Sequence, residues 1–159
     1  MGLLIVDRGH PGAVAWDIYV LAHPHAWFFQ SERWLDYALA YDAERGVMDR
    51  SFAVVAPDHH GSSEIVGLIP LLARTSGAGR GLADFCAGGD PLPEPLGGRE
   101  GATVDQNAAM MAVVVPELNR RRLAFSAGRI RFRSHPFAPV PDLSSLATAW
   151  QIGGWTTRI

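Results

Sequence analysis

Lysine is absent from the sequence, and all 14 basic residues of the 159-residue chain are arginines. The chain therefore offers no lysine for Schiff-base chemistry and no phosphate-binding lysine of a P-loop. Cys86 is the single cysteine, so no disulfide can form within the chain. No apolar run reaches the length of a membrane-spanning helix, and the start lacks the basic region of a secretory signal. Together these features predict a cytoplasmic protein.

The charge balance is close to neutral, with a formal net charge of -2. Proteins that bind nucleic acid usually carry a strongly basic face, so a nucleic-acid partner is not expected. The hydrophobic fraction of 48% and the charged fraction of 19% are ordinary for a globular protein. A chain of this length is expected to bury a core as one domain.

The first half of the sequence predicts two helices and a hairpin. Apolar residues at helical spacing over residues 12–22 predict the first helix. Ser31 is a preferred N-cap residue and predicts the start of a second helix, which Gly46 is expected to end. Residues 51–56 and 65–72 flank a polar turn, and this pattern is typical of a β-hairpin.

The second hairpin strand is apolar at nearly every position, which is typical of a strand covered on both faces. Gly67 and Pro70 weaken its ladder and indicate either a bulge or an edge strand. Residues 75–101 are rich in glycine and proline, so we expect a long connection there with one short strand at 82–85.

The remaining elements are a third helix and a strand. Thr103 and Gln106 form a capping-box pattern that predicts the helix start, and Pro116 is expected to kink or end the helix. The apolar stripe of this third helix is expected to be Ala108, Met111, Val115 and Leu118. Residues 128–134 alternate between arginine and apolar residues, which predicts a strand.

Four parts of the chain resemble one family of acyltransferases. Trp16 and residues 23–35, then residues 65–71, 83–92 and 129–133, are similar in order and spacing to the amino-terminal half of Fem-type aminoacyl transferases and of related cellulose-biosynthesis acetyltransferases. The cell-wall ligases of that family place a lysine shortly after the matched tryptophan. Here Trp34 is followed by leucine and aspartate, so a nucleotide-linked muropeptide substrate is not expected.

The resemblance implies an α+β, GNAT-like fold with a mostly antiparallel central sheet flanked by helices. It further implies that residues 1–159 form one GNAT-like domain, the amino-terminal half of a two-domain N-acyltransferase. The half that usually carries the donor site would be missing, so the chain is expected to be inactive alone. Acetyl-CoA or another acyl donor would bind the complete protein and is not expected to bind tightly to this chain.

Two kinds of partner follow from this interpretation. One is a second GNAT-like half, and the other is a second copy that pairs with the carboxy-terminal strand edge at residues 150–159. The alternative from another class is a non-catalytic binding or dimerisation module with the same fold, in which the exposed sheet edge pairs with a partner.

Acyl transfer to an amine needs a proton acceptor and an anchor for the donor phosphates. Asp84, Asp90 and His25 are candidate proton acceptors, with solvated loop carboxylates and a packed histidine as the alternative. An Arg-x-x-Gly-x-Gly pattern makes Arg74, Gly77 and Gly79 candidate donor-binding residues. The glycine-rich sequence that follows offers no helix start for a pyrophosphate, and the alternative is a flexible loop.

The acceptor is expected to contact Gln30, Ser31, Trp34 and Phe85, near Asp84. Four clustered aromatic residues either line this acceptor site or belong to the core, and at least two of them are expected in the core. The four aromatic residues are Trp27, Phe28, Phe29 and Trp34.

A bulge at Gly67 to Pro70 would leave backbone donors free for an oxyanion.

The other polar clusters are weaker candidates. The pairs His23 with His25 and His59 with His60 lack the cysteine or carboxylate partners of a zinc site, so no metal is expected. Cys86 has no cationic sequence neighbour and is interpreted as a small buried residue. Two arginine groups could bind a phosphate-bearing acceptor or lie solvated on the surface. They are Arg120, Arg121 and Arg122, and Arg129, Arg131 and Arg133.

Overall fold

The structure, a computed structural model, shows that the protein has an α+β fold. Three α-helices lie in the part of the chain that it describes: α1 at Trp16–Ala22, α2 at Glu32–Tyr41 and α3 at Val104–Ala124. Short 3₁₀ turns precede and follow α2 at Phe28–Gln30 and Ala43–Arg45. The described residues are 2–10, 16–57, 63–74, 83–85, 92–93, 96–97, 103–125, 127–130 and 132–133.

The strands form small, mostly antiparallel sheets. One sheet has the strand order β1-β3-β4-β8, and a second has the order β2-β5-β6-β9. The short strands β7 and β10 pair in parallel. The strand bounds are β1 Leu4–Asp7, β2 Val47–Asp49, β3 Phe52–Pro57, β4 Ser63–Ile69, β5 Leu72–Arg74, β6 Ala83–Phe85, β7 Leu92–Pro93, β8 Leu96–Gly97, β9 Ala127–Ile130 and β10 Phe132–Arg133.

The predicted hairpin is confirmed, and it runs through both sheets. Its outer part is β3 with β4, and its continuation is β2 with β5. At the junction the Arg50 amide donates to the Leu71 carbonyl at 2.8 Å, and the Leu71 amide donates to the Ser51 hydroxyl at 2.9 Å. These bonds satisfy backbone groups where the ladder changes sheet, so the bend costs no buried hydrogen bond there.

The bulge predicted near Gly67 is confirmed one residue earlier, at Val66. Val54 lies opposite Gly67 while Val55 lies opposite Ile65, so Val66 has no ladder partner. The Val66 carbonyl instead accepts a hydrogen bond from the Tyr19 hydroxyl of α1 at 3.1 Å. The edge-strand alternative is wrong because β4 pairs with β3 on one side and β8 on the other.

The start and end of α2 follow the sequence prediction closely. The α-helical part ends at Tyr41, and the 3₁₀ turn carries the chain to Gly46, which is left-handed with φ 66°. Glycine adopts that conformation without the steric cost of a side chain, which explains the end of the helical segment. The first predicted helix is confirmed from Trp16 onward, since residues 11–15 lie outside the described part.

The capping box at the start of α3 is confirmed. The Thr103 hydroxyl accepts from the Gln106 amide at 3.2 Å, and the Gln106 side chain accepts from the Thr103 amide at 2.9 Å. Pro116 does not end the helix, which continues to Ala124.

The predicted apolar stripe of α3 is confirmed at Leu118, which is buried, and at Met111, which is half-buried against the core. It is wrong at Ala108, which is exposed, and Val115 is half-buried without belonging to the core cluster. The buried face of the helix is displaced by about one residue from the prediction, and it includes the charged residue Glu117. The buried residues are Met110, Val114, Glu117 and Leu118.

The strand predicted at 128–134 is present as β9 and β10. Ile130 is buried and Phe132 is half-buried against the core, while Arg131 and Ser134 lie outside the described residues. Strand β9 runs parallel to β6, with Phe85 opposite Ile130. Because α3 lies between these two strands in the sequence, it forms the crossover that a parallel pair requires.

The core lies between the helices and the hairpin sheets. Its largest fully buried apolar side chains come from α2, the hairpin and α3, so one core joins all three regions. The largest fully buried apolar side chains are Leu35, Phe52, Leu68, Ile69, Leu71, Leu72 and Leu118.

None of the helices within the described residues has the length and apolar character needed to cross a membrane.

Candidate functional site

An aromatic cluster covers the loop before α2 and one face of that helix. We call it the aromatic surface, and it consists of Trp27, Phe28, Phe29, Trp34, Tyr37 and Tyr41. The rings contact each other in a continuous series, from Phe29 and Trp34 at 4.8 Å between centroids, through Trp34 and Tyr37 at 5.4 Å, to Tyr37 and Tyr41 at 5.8 Å. Such ring pairs stabilise each other through edge and face contacts.

Most of the aromatic surface faces solvent. Phe28 is 62% exposed, Tyr37 is 55% exposed and Tyr41 is 69% exposed, while Trp27 and Trp34 are half-buried. The expectation that at least two of the four clustered aromatic residues lie in the core is therefore wrong. The buried face of α2 is formed by Leu35 and Ala38 instead. Large exposed aromatic groups of this kind mark binding surfaces more often than isolated exposed side chains do.

Gln30 lies beneath the aromatic surface and is buried, with 2% exposure. Its side-chain oxygen accepts a hydrogen bond from the Trp27 amide at 2.7 Å. Its backbone carbonyl accepts from the indole N–H of Trp16 at 2.7 Å, which joins the loop to α1. These bonds fix the loop on which Phe28 and Phe29 stand. Gln30, which the sequence predicts to contact the amine acceptor, thus lies under the aromatic surface and supports it.

Ser31 is the N-cap of α2, as the sequence predicts. Its hydroxyl accepts from the Trp34 amide at 3.2 Å, and the carboxylate of Asp17 accepts from the Glu32 amide at 2.7 Å. The Ser31 hydroxyl also donates to the Phe28 carbonyl at 2.7 Å. These bonds orient the first turn of α2, and therefore the ring of Trp34.

Replacement of Ser31 by alanine is expected to lower the free energy of unfolding by about 1 kcal/mol, because the start of α2 loses its capping acceptor. Urea unfolding followed by circular dichroism measures this change. Ser31→Asn retains a capping oxygen and is the matched control, which is expected to stay close to the wild type. An unchanged stability in Ser31→Ala would contradict the capping role.

His25 lies near the aromatic surface in sequence and is exposed, so the packed-histidine alternative is wrong. Its amide donates to Nδ1 of His23 at 3.2 Å, and the two rings are 6.0 Å apart. Within the described residues, no three His, Cys, Asp or Glu side chains are grouped as a metal site would require. His59 and His60 lie outside those residues.

Three other predicted site residues lie on the second sheet. Arg74 is the last residue of β5 and lies opposite Asp84 of β6, and Ala73 lies opposite Phe85. The structure therefore brings Arg74, Asp84 and Phe85 into one pair of strands. Four further candidates lie outside the described residues: Gly77, Gly79, Cys86 and Asp90.

A charged cleft of about 580 Å³ lies between β1 and the end of α3. The run of arginines at residues 120–122 is visible in the sequence, but the cleft is not, because the residues that line it come from two segments far apart in the chain. Glu117 and Arg121 line one wall, and Asp7 of β1 lines the other. The remaining lining residues are Ile5, Val6, His10 and Arg120.

Arg121 is committed to contacts within the protein. It donates to Glu117 at 2.6 Å, to the Arg50 carbonyl at 2.7 Å and to the carboxylate of Asp7. Its guanidinium carbon lies 4.4 Å from the centre of the Phe52 ring. Arg121 therefore connects α3 to β1 and to the hairpin junction. It is neither a solvated residue nor an open phosphate site, in contrast to both sequence interpretations.

Neighbouring arginines also bond to α3. Arg120 donates two hydrogen bonds to the carboxylate of Glu117, at 2.7 and 2.6 Å, and Arg122 donates to Asn119 at 3.0 Å. The hydrogen bonds from Arg120, and then those from Arg121, lower the pKa of Glu117 below its ordinary value of 4.5, against the opposing effect of burial. Glu117 is thus held in its charged form, in which it accepts hydrogen bonds from Arg120 and Arg121 in the cleft.

The lowered pKa of Glu117 predicts a specific acid sensitivity. A carboxyl group whose pKa is lower in the folded state stabilises the protein above its ordinary pKa, and this contribution is lost as the pH falls through the folded-state value. Glu117→Gln is therefore expected to reduce the loss of stability below about pH 4.5. Urea unfolding at pH 7 and at acidic pH measures the difference. Equal pH dependence in both proteins would contradict the assignment.

Comparison of the chain with protein-family models, with curated proteins and with solved structures found no match.

Proposed function

We propose that this chain is a GNAT-like domain that acts as the amino-terminal half of an N-acyltransferase, which transfers an acetyl or aminoacyl group to an amine. The order of elements supports this proposal. A first strand and two helices precede a long antiparallel hairpin, and α3 then connects the parallel strands β6 and β9. This arrangement agrees with the helix-flanked, mostly antiparallel sheet that the resemblance to Fem-type enzymes implies.

The observation that carries the proposal is the aromatic surface, which we assign to the amine acceptor. Its rings offer an apolar face for the acceptor's body, and aromatic faces attract an ammonium group. A proton acceptor beside the bound ammonium would then give the uncharged amine that attacks an acyl donor. Trp34 stands at the centre of this surface, in contact with Phe28, Phe29 and Tyr37.

The remaining chemistry is assigned as follows. His25, Asp84 and Asp90 are the proposed proton acceptors, and His25 is the one whose exposed ring the structure describes. An acyl donor such as acetyl-CoA would bind mainly to a second GNAT-like half, and Arg74, Gly77 and Gly79 are the contacts proposed from this chain. The complete site would then lie between two halves, and this chain alone would be inactive.

Deletion of the gene in its host tests the activity directly. Mass spectrometry of the cell extract is expected to show the loss of an N-acylated product together with an increase in the corresponding free amine. Re-expression of the intact gene should restore the product, and the same gene with Trp34→Ala should restore at most about one tenth of it, since a central aromatic contact is commonly worth about 2 kcal/mol or more.

Leu123→Ala is the control, because it truncates a large apolar side chain on another helix, α3, where that side chain is 60% exposed. It is expected to restore the product fully. A deletion strain in which no pair of amine and acylated amine changes would contradict the proposed acyltransferase.

A non-catalytic binding module is the second candidate. The exposure of the aromatic surface favours it as well, because a recognition surface requires no acyl donor. The deletion experiment separates the two, since a binding module leaves every pair of amine and acylated amine unchanged.

A further inference from the structure

Three rings of the aromatic surface form a row along α2. We call Trp34, Tyr37 and Tyr41 the aromatic row, because they lie three and four residues apart and therefore on one side of the helix. Their ring centres are 5.4 and 5.8 Å apart in chain order. An α-helix rises about 1.5 Å per residue, so the row extends for about 10 Å along its axis. A single small amine covers only part of this length, and the row therefore suits an elongated ligand.

Charges of opposite sign stand at the two ends of the aromatic row. Arg33 is exposed and lies four residues before Tyr37, a spacing at which side chains on a helix are neighbours. Glu44 is exposed and lies in the 3₁₀ turn that follows α2, three residues after Tyr41. In the part of the chain that the structure describes, neither Arg33 nor Glu44 forms a hydrogen bond or an ion pair. Both charges are thus open to a ligand.

The segment that carries the aromatic row is acidic as a whole. Residues 32–45 contain four carboxylates and two guanidinium groups. Two further side chains bond to this segment, Arg8 to the carboxylate of Asp36 and Asp17 to the Glu32 amide, and their opposite charges cancel. The electrostatic field of the segment therefore favours a cationic ligand over an anionic or zwitterionic one.

The polar side chains at the entry to α2 are engaged within the protein. The Ser31 hydroxyl donates to the Phe28 carbonyl and accepts from the Trp34 amide, and Gln30 is buried and accepts from the Trp27 amide. A peptide or a sugar laid on these rings would give up hydrogen bonds to water without replacing them here. A chain of methylene groups gives up none, and the rings attract the ammonium groups that it carries. The surroundings of the row therefore favour an alkyl chain that bears amines.

We infer that the acceptor of the proposed acyltransferase, on which this inference rests, is a linear diamine or polyamine that lies along α2. One terminal ammonium group binds Glu44 beyond Tyr41, the alkyl chain crosses the aromatic row, and the amine to be acylated lies beside Trp34. With carbon–carbon bonds of about 1.5 Å, an extended chain advances about 1.3 Å per bond, so about eight methylene groups match the row. The positive charge of Arg33 disfavours a second ammonium group at the Trp34 end, which favours the uncharged amine that attacks an acyl donor.

Three ligands of equal length test the inference: octamethylenediamine, octylamine and ω-aminooctanoate. Each carries one amine, and they differ in the charge at the opposite end, which is positive, absent or negative. Binding to the full chain is followed by the nuclear magnetic resonance signal of the Trp34 indole N–H at low ionic strength, where exposed charges are least screened. The diamine is expected to bind about fivefold more tightly than octylamine, as one exposed ion pair allows, and ω-aminooctanoate is expected to bind most weakly.

Glu44→Gln removes the carboxylate that distinguishes these ligands. It is expected to weaken the binding of the diamine about fivefold, to the level of octylamine, and to leave octylamine binding unchanged. Asp105→Asn removes one negative charge from an exposed position of α3 and is the control for net charge. This control is expected to keep the preference for the diamine.

The result separates this inference from the proposed function. Equal binding of octamethylenediamine and octylamine would overturn the inference and leave the aromatic surface as an amine site. Tightest binding of ω-aminooctanoate would also overturn it, because the acceptor would then carry an anionic group at its far end. A Trp34 signal that none of the three ligands shifts would overturn the inference together with the assignment of the aromatic surface to an amine acceptor.

Discussion

Phe52→Ala is expected to lower the free energy of unfolding by about 3–5 kcal/mol, the largest effect of any single substitution considered for this chain. The Phe52 side chain is fully buried at the point where β3 leaves the hairpin junction. Its removal creates a cavity in the core and takes away the ring that Arg121 covers. Urea unfolding followed by fluorescence gives the midpoint and slope that measure this loss.

Phe28→Ala is the matched control, because it makes the same chemical change at a side chain that is 62% exposed. Its effect on stability is expected to stay within about 0.5 kcal/mol. Similar losses for both variants would contradict the division between the core and the aromatic surface.

Arg121→Ala is expected to be the second most destabilising change, by about 2–4 kcal/mol, because it leaves the buried carboxylate of Glu117 without one of its two cationic partners. The variant also loses the bonds to Asp7 and to the Arg50 carbonyl. The expected loss is smaller than that of a fully buried ion pair, since Asp7 is largely exposed. Thermal and urea unfolding at pH 7 measure it.

Arg33→Ala makes the same change at an exposed position of α2 and serves as the control. It is expected to leave the unfolding midpoint nearly unchanged. If Arg121→Ala behaved like Arg33→Ala, the connection between α3, β1 and the hairpin would not contribute to stability.

Features set by neighbouring residues could be predicted from the sequence. Ser31 and Thr103 begin helices because their side chains bond to amides three residues later, which is a local requirement. Gly46 ends the α2 region through its own backbone conformation. The hairpin and its bulge near Gly67 likewise follow from residues close together in the chain.

Features that depend on distant residues could not be predicted in this way. Arg121 joins α3 to Asp7, which is 114 residues away in the sequence. Apolar spacing predicted Ala108 and Val115 on the buried face and did not select Met110 and Val114, which are buried. The burial of a charged residue such as Glu117 requires partners that a local pattern does not reveal.

The candidate site was predictable in the same limited sense. Gln30, Ser31 and Trp34 lie together because they are close in sequence, at the entry to α2. The exposure of Phe28 and Phe29 was not predictable, since aromatic residues in such a cluster usually belong to a core. The neighbouring residue Gln30 is buried there instead, and its side-chain oxygen accepts a hydrogen bond from the Trp27 amide.

The most direct test of the account is a nuclear magnetic resonance titration of the tryptophan indole N–H signals with a panel of alkyl and amino-acid amines. We expect amines to shift the signals of Trp27 and Trp34 but not that of buried Trp16, whose indole is bonded to Gln30. Phe29→Ala should weaken the binding about tenfold, because that ring contacts Trp34. Unshifted Trp27 and Trp34 signals at millimolar amine would contradict the assignment of the aromatic surface to the acceptor.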